Sequence, residues 1–204
     1  MIILLPKFIK LVLFMKELLR AHFEKIIQLT DREFEYIYSH FVHKKLIKHQ
    51  FLIQEGELVK NEFFVVKGCL KSYMIDSDNK MHVLQFALPD WWITDYYALY
   101  NQIPSSLYID PVESAEVLVI SLADKDKLCA ELHKVEHFFR KKTNFGYVAL
   151  QQRVLGLINT NARDRYEQLI KQYPALFQMV PKQLIASYLG VTRETLSRLY
   201  KTHQ

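Results

Sequence analysis

Five polar side chains near the end of the sequence recur at a spacing that places them on one side of a helix. Glu194, Ser197, Arg198 and Lys201 stand at positions i, i+3, i+4 and i+7, with Arg193 beside them. An arginine can donate two hydrogen bonds to guanine O6 and N7, a glutamate can accept one from cytosine N4, and hydroxyls and lysine can bind phosphates. The chemistry of this face suits the major groove of DNA, whereas a solvated helical hairpin is the structural alternative.

The segment that carries these side chains, LIASYLGVTRETLSRLYK, has the signals of two short helices joined by a tight turn. Pro181 suits the first turn of the first helix, and Gly190 can adopt the left-handed conformation that ends it. Thr192 can accept hydrogen bonds from the first backbone N–H groups of the second helix. Ala186 is small where the two helices must cross. We expect the apolar residues of both helices to face inward, and they are Leu184, Ile185, Tyr188, Leu189, Leu196 and Leu199.

Upstream, the hydrophobic pattern changes from helical to alternating and indicates an α+β fold. Between about residues 15 and 42 apolar positions recur at helical spacing, with a break at Thr30–Asp31 between two helices. Between residues 45 and 122, short β-branched and aromatic runs alternate with turn residues, without helices that could make parallel crossovers. We therefore predict an antiparallel sandwich or a jelly roll rather than a parallel sheet, and we call it the β-roll. Its predicted strands are KLIKHQFLIQ, NEFFVVKG, CLKSYMID, KMHVLQFAL, SLYID and EVLVIS.

A long helical segment is predicted from about Asp124 to Thr160, with a break near residues 134–136. Its apolar residues form two faces, which require two partners. One partner can be the β-roll, and the other is most simply the same helix of a second copy, although burial in a single core is an alternative. Close helix approach would offset the helix propensity lost at Gly146 and Gly156, about 1 kcal/mol each. One face holds Phe138, Phe145, Val148, Leu155 and Ala162, and the other Phe139, Leu150, Val154 and Leu157.

Composition limits the classes of protein that this chain can be. Half of its 204 residues are hydrophobic and 24% are charged, which is typical of a soluble globular chain, and the net charge is +5. Residues 182–204 hold four basic side chains against one acidic one, the local basic surface expected for a phosphate-rich partner. Cys69 and Cys129 are the only cysteines, which indicates a reducing cytoplasm and excludes a four-thiolate cluster.

Residues of catalytic and metal-binding types form no recognisable motif in the sequence. It holds no nucleophile–base pattern and no metal-ligand cluster, and its five glycines are scattered rather than gathered in a phosphate loop. His133 and His137 have the i, i+4 spacing of a metal-ligand pair, but this spacing is common by chance. We therefore predict no enzymatic activity, no cofactor and no metal.

The first residues of the sequence are mostly apolar, but they do not have the pattern of a membrane anchor or a signal peptide. Residues 1–14 are interrupted by one proline and two lysines, are too short for a membrane span and lack a small-residue cleavage site. We therefore expect no membrane partner. Because Met15 opens a cleaner amphipathic stretch, we interpret residues 1–14 as a start-site extension.

The order of these features resembles the Crp/Fnr family of bacterial transcription regulators over roughly residues 30–201. The matching features are EGE followed by NEFFVVKGCLKSY in the strand region, the long helix, and VTRETLSRL in the terminal helix-turn-helix. The resemblance implies a cyclic-nucleotide-binding-like sensor with N-terminal helices over 1–134, a dimerisation helix over 135–160 and a helix-turn-helix DNA-binding domain over 161–204. The sequence stops at Gln204, so we expect this domain to lack the full β-hairpin wing that many members place after the recognition helix.

The resemblance also implies roles for the polar residues of the helix-turn-helix. Two copies related by a twofold axis would place their recognition helices in successive major grooves, about 34 Å apart, and would bind a palindromic operator. The resemblance places Arg193, Glu194 and Arg198 at base-reading positions and Gln183, Thr192, Thr195 and Lys201 near the DNA backbone. Ser197, on the same helix face as Arg198, is also expected to contact DNA.

The resemblance breaks at the cyclic nucleotide pocket. Members that bind cyclic AMP hold its phosphate with a glycine–glutamate pair and an arginine–serine pair. Here Ile93 and Thr94 occupy the first pair of positions and Ser105 and Ser106 the second, so the cation is missing. Leaving a buried anion without its partner costs about 3–5 kcal/mol. We therefore predict no useful binding of cyclic AMP.

A small apolar or aromatic ligand is an alternative effector for the same region. Its polar contacts would be Thr94, Asp95, Ser105 and Ser106. The aromatic residues that crowd this segment are more simply explained as filling the core, and they are Trp91, Trp92, Tyr96, Tyr97 and Tyr100.

These features favour a cytoplasmic, homodimeric, sequence-specific DNA-binding transcription regulator whose sensor domain has lost the residues that hold cyclic AMP. Its expected partners are double-stranded DNA, a second copy of the chain and an effector of unknown identity. The alternative is a ligand-binding or protein-docking module that does not bind DNA and whose helical hairpin contacts a protein such as RNA polymerase. The salt dependence of binding distinguishes these two functions, because binding to DNA releases counterions and weakens steeply as the salt concentration rises.

Overall fold

The computed structural model describes residues 7–201, with side chains from 9 to 199. The strands of this part are β1 (Val42–Leu46), β2 (Asn61–Lys67), β3 (Leu70–Ile75), β4 (Met81–Ala87), β5 (Trp92–Ile93), β6 (Tyr108–Pro111) and β7 (Ala115–Ser121). They form two antiparallel sheets with the orders β1-β7-β2-β5 and β4-β3-β6. The α+β fold class with an antiparallel β-roll is therefore confirmed.

Five of the six predicted strands lie within two residues of their predicted ends, the first does not, and β5 was not predicted. The first strand was predicted over residues 45–54, whereas β1 ends at Leu46. A turn follows it, in which the N–H of Gln50 donates to the carbonyl of Ile47 and His49 has a positive φ of 66°. Strand β5 has only two residues, so it shows no alternation that a sequence pattern could reveal.

The N-terminal part consists of the two predicted helices, α1 (Lys7–Glu24) and α2 (Asp31–Tyr38). Thr30 begins α2 with a capping box, because its hydroxyl accepts from the N–H of Glu33 and the Glu33 carboxylate accepts from the N–H of Thr30. The ammonium group of Lys134, together with these Thr30 bonds, lowers the pKa of Glu33 to about 2. The ion pair between Glu33 and Lys134 ties α2 to the long helical segment.

The segment interpreted as a start-site extension is partly helical. Its residues 7–14 belong to α1, where Leu11 and Val12 are partly buried against the hydrophobic cluster that contains Leu19 and Phe23. Residues 1–6 lie outside the described part. Met15 itself is 1% exposed. The interpretation as an extension stays a prediction.

A buried histidine joins α1 to the loop before β5. The Nε2 atom of His22 accepts a hydrogen bond from the indole of Trp92 at 2.9 Å, so its ring proton lies on Nδ1, 2.6 Å from Asp90 Oδ1. Lys25 forms an ion pair with the same carboxylate. Burial lowers the pKa of His22 against the opposing effect of Asp90, and the charge of Lys142 adds to the lowering. A second ring proton would point at the Trp92 donor, so the folded state favours the neutral ring.

We expect the stability of the fold to decrease below neutral pH because of His22. Its folded pKa is lowered, so its contribution is complete above the unfolded pKa of about 6.5 and is lost as the pH falls below that value. The free energy of unfolding should fall by at most about 1.4 kcal/mol per pH unit from this group. Denaturant titrations between pH 7 and 5 should show that the free energy of unfolding depends less on pH in His22→Gln than in the wild type. An equal pH dependence in the two proteins would contradict this role of His22.

Between β5 and β6 the chain forms a short helix that the sequence pattern did not predict, α3 (Tyr96–Asn101). Asp95 begins it by accepting a hydrogen bond from a backbone N–H of its first turn. Only two of its six residues are buried, and Tyr96, Tyr97 and Tyr100 are 45%, 70% and 55% exposed. The interpretation of these tyrosines as core filling was wrong, because a helix this short turns one side to the core. The partly buried aromatic residues of the segment are Trp91 and Trp92.

The long helical segment is divided into α4 (Leu122–Glu131) and α5 (His133–Asn159), with the break at Leu132, close to its predicted place. Ala162 was placed on the seam of this helix from the sequence. It instead begins the next helix, because Asn161 caps that helix by accepting from the N–H of Asp164. The C-terminal helices are α6 (Ala162–Gln172), α7 (Leu176–Met179), α8 (Lys182–Leu189) and α9 (Arg193–Lys201).

The C-terminal helices pack on the outer face of the three-stranded sheet. This packing forms one of the hydrophobic clusters of the protein, and it therefore holds the terminal helices against the β-roll. The sheet contributes Cys69, Tyr73, Val83, Phe86 and Val112, and the helices contribute Tyr166, Leu169, Leu176, Val180, Ile185, Ala186, Leu189 and Leu196.

Candidate nucleic-acid interface

The turn between α8 and α9 has the conformation predicted from its glycine and threonine. Gly190 is left-handed, with φ 69° and ψ 33°, and its N–H donates to the carbonyl of Ser187 at 3.1 Å. The hydroxyl of Thr192 then accepts from the N–H of Thr195 at 3.2 Å and begins α9. The predicted sequence of helix, three-residue turn and helix is therefore confirmed.

The apolar side of this helix pair is buried and fixes which side of α9 faces outward. Ile185, Ala186 and Leu189 of α8 are 1%, 2% and 3% exposed, and Leu196 of α9 is 1% exposed. Ala186 is small at the crossing of the two helices, as predicted from the sequence. Because Leu196 points inward, the positions two residues to either side of it, Glu194 and Arg198, lie on the opposite side of α9 and are turned toward solvent.

Four polar residues form the outer side of α9, and we call them the α9 polar face: Arg193, Glu194, Ser197 and Arg198. All four are exposed, and they line one shallow depression on the surface. A hydrogen bond from its own backbone N–H, with help from Thr192 and the two arginines, lowers the pKa of Glu194. Glu194 is thus a hydrogen-bond acceptor at neutral pH, flanked by two guanidinium donors. This combination can bind both donors and acceptors on base edges.

The other residues assigned to DNA contacts surround this face. Gln183 is exposed in the first turn of α8, and Thr192 is exposed in the turn before α9. Thr195 is half-buried, and its hydroxyl lies 3.1 Å from that of Thr192. Lys201 ends α9, and its side chain lies outside the described residues. The contacts of all these residues with DNA stay a prediction.

The residues assigned to an effector pocket are mostly occupied with each other and with the backbone. Thr94 is 5% exposed, and its hydroxyl donates to the carbonyl of Asn61 at 2.8 Å. The hydroxyl of Ser105 donates to the Asp95 carboxylate at 2.7 Å, and both residues are buried. Ser106 is exposed and takes part in none of these bonds. The structure therefore brings Asp95 and Ser105 together, and their contact with an effector stays a prediction.

The second half of α5 presents a wide apolar surface, which we call the α5 apolar stripe. Its large hydrophobic side chains are between 43% and 72% exposed, whereas Phe138 and Phe139 in the first half are 0% and 7% exposed. A Cβ atom added at Gly146 would meet no atom within 4 Å. Exposed apolar patches of this kind mark interaction surfaces. The stripe consists of Phe145, Tyr147, Val148, Leu150, Val154, Leu155, Leu157 and Ile158.

Two residues that join the helix-turn-helix to the β-roll were not identified from the sequence. Arg153 of α5 and Ser187 of α8 both form hydrogen bonds with β4, 70 and 104 residues away in the chain. The sequence did contain one signal, because Arg153 is the only charged residue between positions 143 and 159. An isolated charge in an apolar helix requires a partner, although the pattern could not show which one.

The described part of the chain has neither a membrane-spanning helix nor a cluster of metal-ligating side chains. None of the helices between residues 7 and 201 is long and apolar enough to cross a membrane. The same residues include no group of three or more His, Cys, Asp or Glu side chains that could hold a metal ion. Cys69 and Cys129 are free thiols.

Comparison with known proteins gives relatives of one kind. No family model matches the chain. It is 26% identical over 183 residues to an anaerobic regulatory protein of Haemophilus influenzae, covering 84% of this chain and 70% of that protein. The chain spans between 59% and 70% of the lengths of the curated relatives it matches. These relatives are regulators, not enzymes, in agreement with the prediction from the sequence.

Solved structures show the same fold. FixK2 from Bradyrhizobium japonicum superposes with a TM-score of 0.69 at 19% identity, covering 79% of this chain and 83% of that one. A CooA mutant from Carboxydothermus hydrogenoformans superposes with a TM-score of 0.65 at 17% identity, covering 82% and 78% of the two chains. Both proteins are regulators of the Crp/Fnr family. In sequence and in fold, the chain is therefore similar to the transcription regulators of the Crp/Fnr family, as its motifs predicted.

Proposed function

We propose that the chain is a homodimeric, sequence-specific DNA-binding transcription regulator of the cytoplasm. The observation that carries the proposal is the exposure of the α9 polar face on a helix-turn-helix whose other side is buried. Two arginines and an ionised glutamate on one exposed helix face match the donors and acceptors of a major groove. The sequence relatives and the fold support the same function.

The α5 apolar stripe supports the dimer. A soluble chain rarely leaves eight large hydrophobic side chains of one helix exposed, and a second copy of the same helix covers them symmetrically. The open space at Gly146 allows the two helices to approach closely. Pairing through α5 gives the assembly a twofold axis. Two α9 helices related by that axis would read a palindrome whose half-sites are about 34 Å apart.

The sensor domain is proposed to have lost cyclic AMP binding. Ser105 occupies the position where the resemblance places an arginine, and the buried carboxylate of Asp95 lies 2.7 Å from its hydroxyl. A phosphate at this place would meet a negative charge instead of a positive one. Calorimetry should therefore detect no binding of cyclic AMP at micromolar concentrations, with a Kd of roughly 1 mM or weaker. A micromolar Kd would contradict the proposed loss.

Selection of bound fragments from random or genomic DNA by the purified protein tests the function. We expect the recovered fragments to share a palindromic motif, because two identical reading helices face the duplex. A pool with no common sequence after repeated rounds would contradict sequence-specific binding. The same experiment identifies the operator and its neighbouring genes.

The second candidate function is a ligand-binding or protein-docking module in which the helical hairpin contacts a protein such as RNA polymerase. The exposure of the α9 polar face is equally compatible with a protein partner. Ionic strength distinguishes the two functions. Affinity for DNA should fall by orders of magnitude between about 50 and 200 mM salt because counterions are released. Absence of retention on DNA, together with binding to a protein partner that does not change with salt, would favour the second candidate.

A further inference from the structure

The helix-turn-helix, the long helix and the β-roll meet at one strand, in a contact that we call the β4 joint. The hydroxyl of Ser187 donates to the carbonyl of Met81 at 2.7 Å and accepts from the N–H of Val83 at 3.0 Å. The guanidinium of Arg153 donates to the carbonyls of Val83 at 3.3 Å and Tyr188 at 3.0 Å. It also stacks on the Tyr188 ring, 3.6 Å from the ring centroid.

These bonds use backbone groups that the sheet leaves open. Strand β4 is an outer strand of its sheet and pairs only with β3. Its outward N–H and carbonyl groups therefore have no ladder partner and need other partners. Ser187 and Arg153 supply these partners at Met81 and Val83. The joint thus attaches α8 to Met81 and Val83 and attaches α5 to Val83 of the same strand.

Arg153 is the main attachment of the second half of α5. From 143 to 159 every residue is exposed except Arg153 and Gly156. Among these described residues, Arg153 is the one whose side chain forms hydrogen bonds with other elements. The hydrogen bonds that join this stretch to the β-roll and the helix-turn-helix therefore come from one side chain, with Leu157 beside Gly190 as an apolar neighbour.

We propose that Arg153 and Ser187 are positioning residues that fix the direction of α9 relative to α5, and so set the half-site spacing that the dimer accepts. The inference rests on the proposed function. In a dimer paired through α5, the distance between the two reading helices depends on how each helix-turn-helix is held against its own α5. With the joint broken, the second half of α5 can change its direction relative to α8 and α9, which stay packed on the sheet, because the connection at Thr160 and Asn161 lies outside the regular helices. A wider range of spacings then becomes accessible at the same affinity for one half-site.

The joint can be broken without unfolding the domain. Arg153 and Ser187 are both half-buried, so water can reach the backbone groups that they release. The apolar cluster between the sheet and the terminal helices remains in place beneath them. Ser187→Ala removes two hydrogen bonds, and Arg153→Lys keeps the charge but loses the paired geometry and the stacking. The two variants lie on different helices and test the joint independently.

The experiment measures Kd for a two-half-site operator at the selected spacing, for operators with two base pairs inserted or removed, and for a single half-site. In the wild type we expect the altered spacing to weaken binding by about 100-fold, since the second half-site is then out of reach. In Ser187→Ala and in Arg153→Lys this penalty should shrink to about 10-fold or less, with the single-half-site Kd unchanged within about twofold. Matched controls are Ser77→Ala in the exposed β3–β4 turn and Arg163→Lys on α6, where Arg163 is exposed and forms an ion pair with Glu167.

The outcomes separate the inference from the function on which it rests. A spacing penalty equal to that of the wild type in both variants overturns the inference and leaves DNA binding intact. A loss of single-half-site affinity that matches the loss on the full operator also overturns it, because the two residues would then serve only the folding of the domain. Failure of the wild type to bind any DNA overturns both.

Discussion

Replacing Val148 with glutamate is expected to separate the dimer and to weaken binding to a two-half-site operator by about 10²- to 10⁴-fold. Val148 lies in the α5 apolar stripe and is 51% exposed in one protomer. Two glutamates would face each other across the twofold axis in an apolar interface, where unpaired charges are costly. Each separated protomer would keep one reading helix and would lose the gain from binding two half-sites together.

The mass of the protein in solution measures this effect directly. Sedimentation or light scattering should give twice 24.3 kDa for the wild type and 24.3 kDa for Val148→Glu. Gln168→Glu adds the same charge at an exposed position of α6, outside the stripe, and should stay dimeric. Val148 is exposed in the single chain, so the circular dichroism of the variant should match that of the wild type. A variant that remains dimeric would show that another surface forms the interface.

Removing either arginine of the α9 polar face is expected to cost about 1–3 kcal/mol of operator binding. The loss should be concentrated at particular base pairs, because a bidentate arginine discriminates guanine from the other bases. Lys201→Ala should instead weaken binding to all sequences alike and reduce the salt slope by about 1, since a phosphate contact carries no sequence information. The two kinds of variant therefore differ in specificity and not only in affinity.

Titration of Arg193→Ala, Arg198→Ala and Lys201→Ala against the operator and against unrelated DNA separates these effects. Arg163→Ala is the matched control, because Arg163 is an exposed arginine on α6 whose partner is Glu167. It removes the same charge away from the reading helix and should leave the operator affinity within about twofold of the wild type, as expected for a surface substitution. Equal losses on both DNAs for the arginine variants would mean that they contact only the backbone.

Local patterns in the sequence were sufficient for the elements whose signals lie in adjacent residues. The alternation of apolar residues gave the strands of the β-roll, and the left-handed Gly190 with the capping Thr192 gave the helix-turn-helix. Each of these signals operates within about one turn or one strand, which is the range over which propensity and capping act. The outward direction of the α9 polar face was predicted from the apolar positions Leu196 and Leu199, and the structure buries Leu196.

Features that depend on distant segments could not be predicted in this way. The tyrosines of α3 are as hydrophobic as core residues, and their exposure depends on a helix only six residues long that Asp95 begins. The β4 joint links residues as far apart in the chain as Val83 and Ser187, and no periodicity records such a pairing. The exposed half of α5 was predicted as an interface because the apolar residues of its stripe lie close together in the sequence. Its hydrogen bond to β4 through Arg153 could not be predicted, because that bond joins residues 70 positions apart.

The proposed DNA binding requires that the α9 polar face of each protomer contacts base edges in its own half-site. Repeating the fragment selection with Arg198→Ala beside the wild type tests it most directly. We expect the variant to lose base preference at one position in each half-site, placed symmetrically about the centre of the palindrome, while other positions keep theirs. An unchanged motif, or a loss confined to one side of the centre, would contradict it.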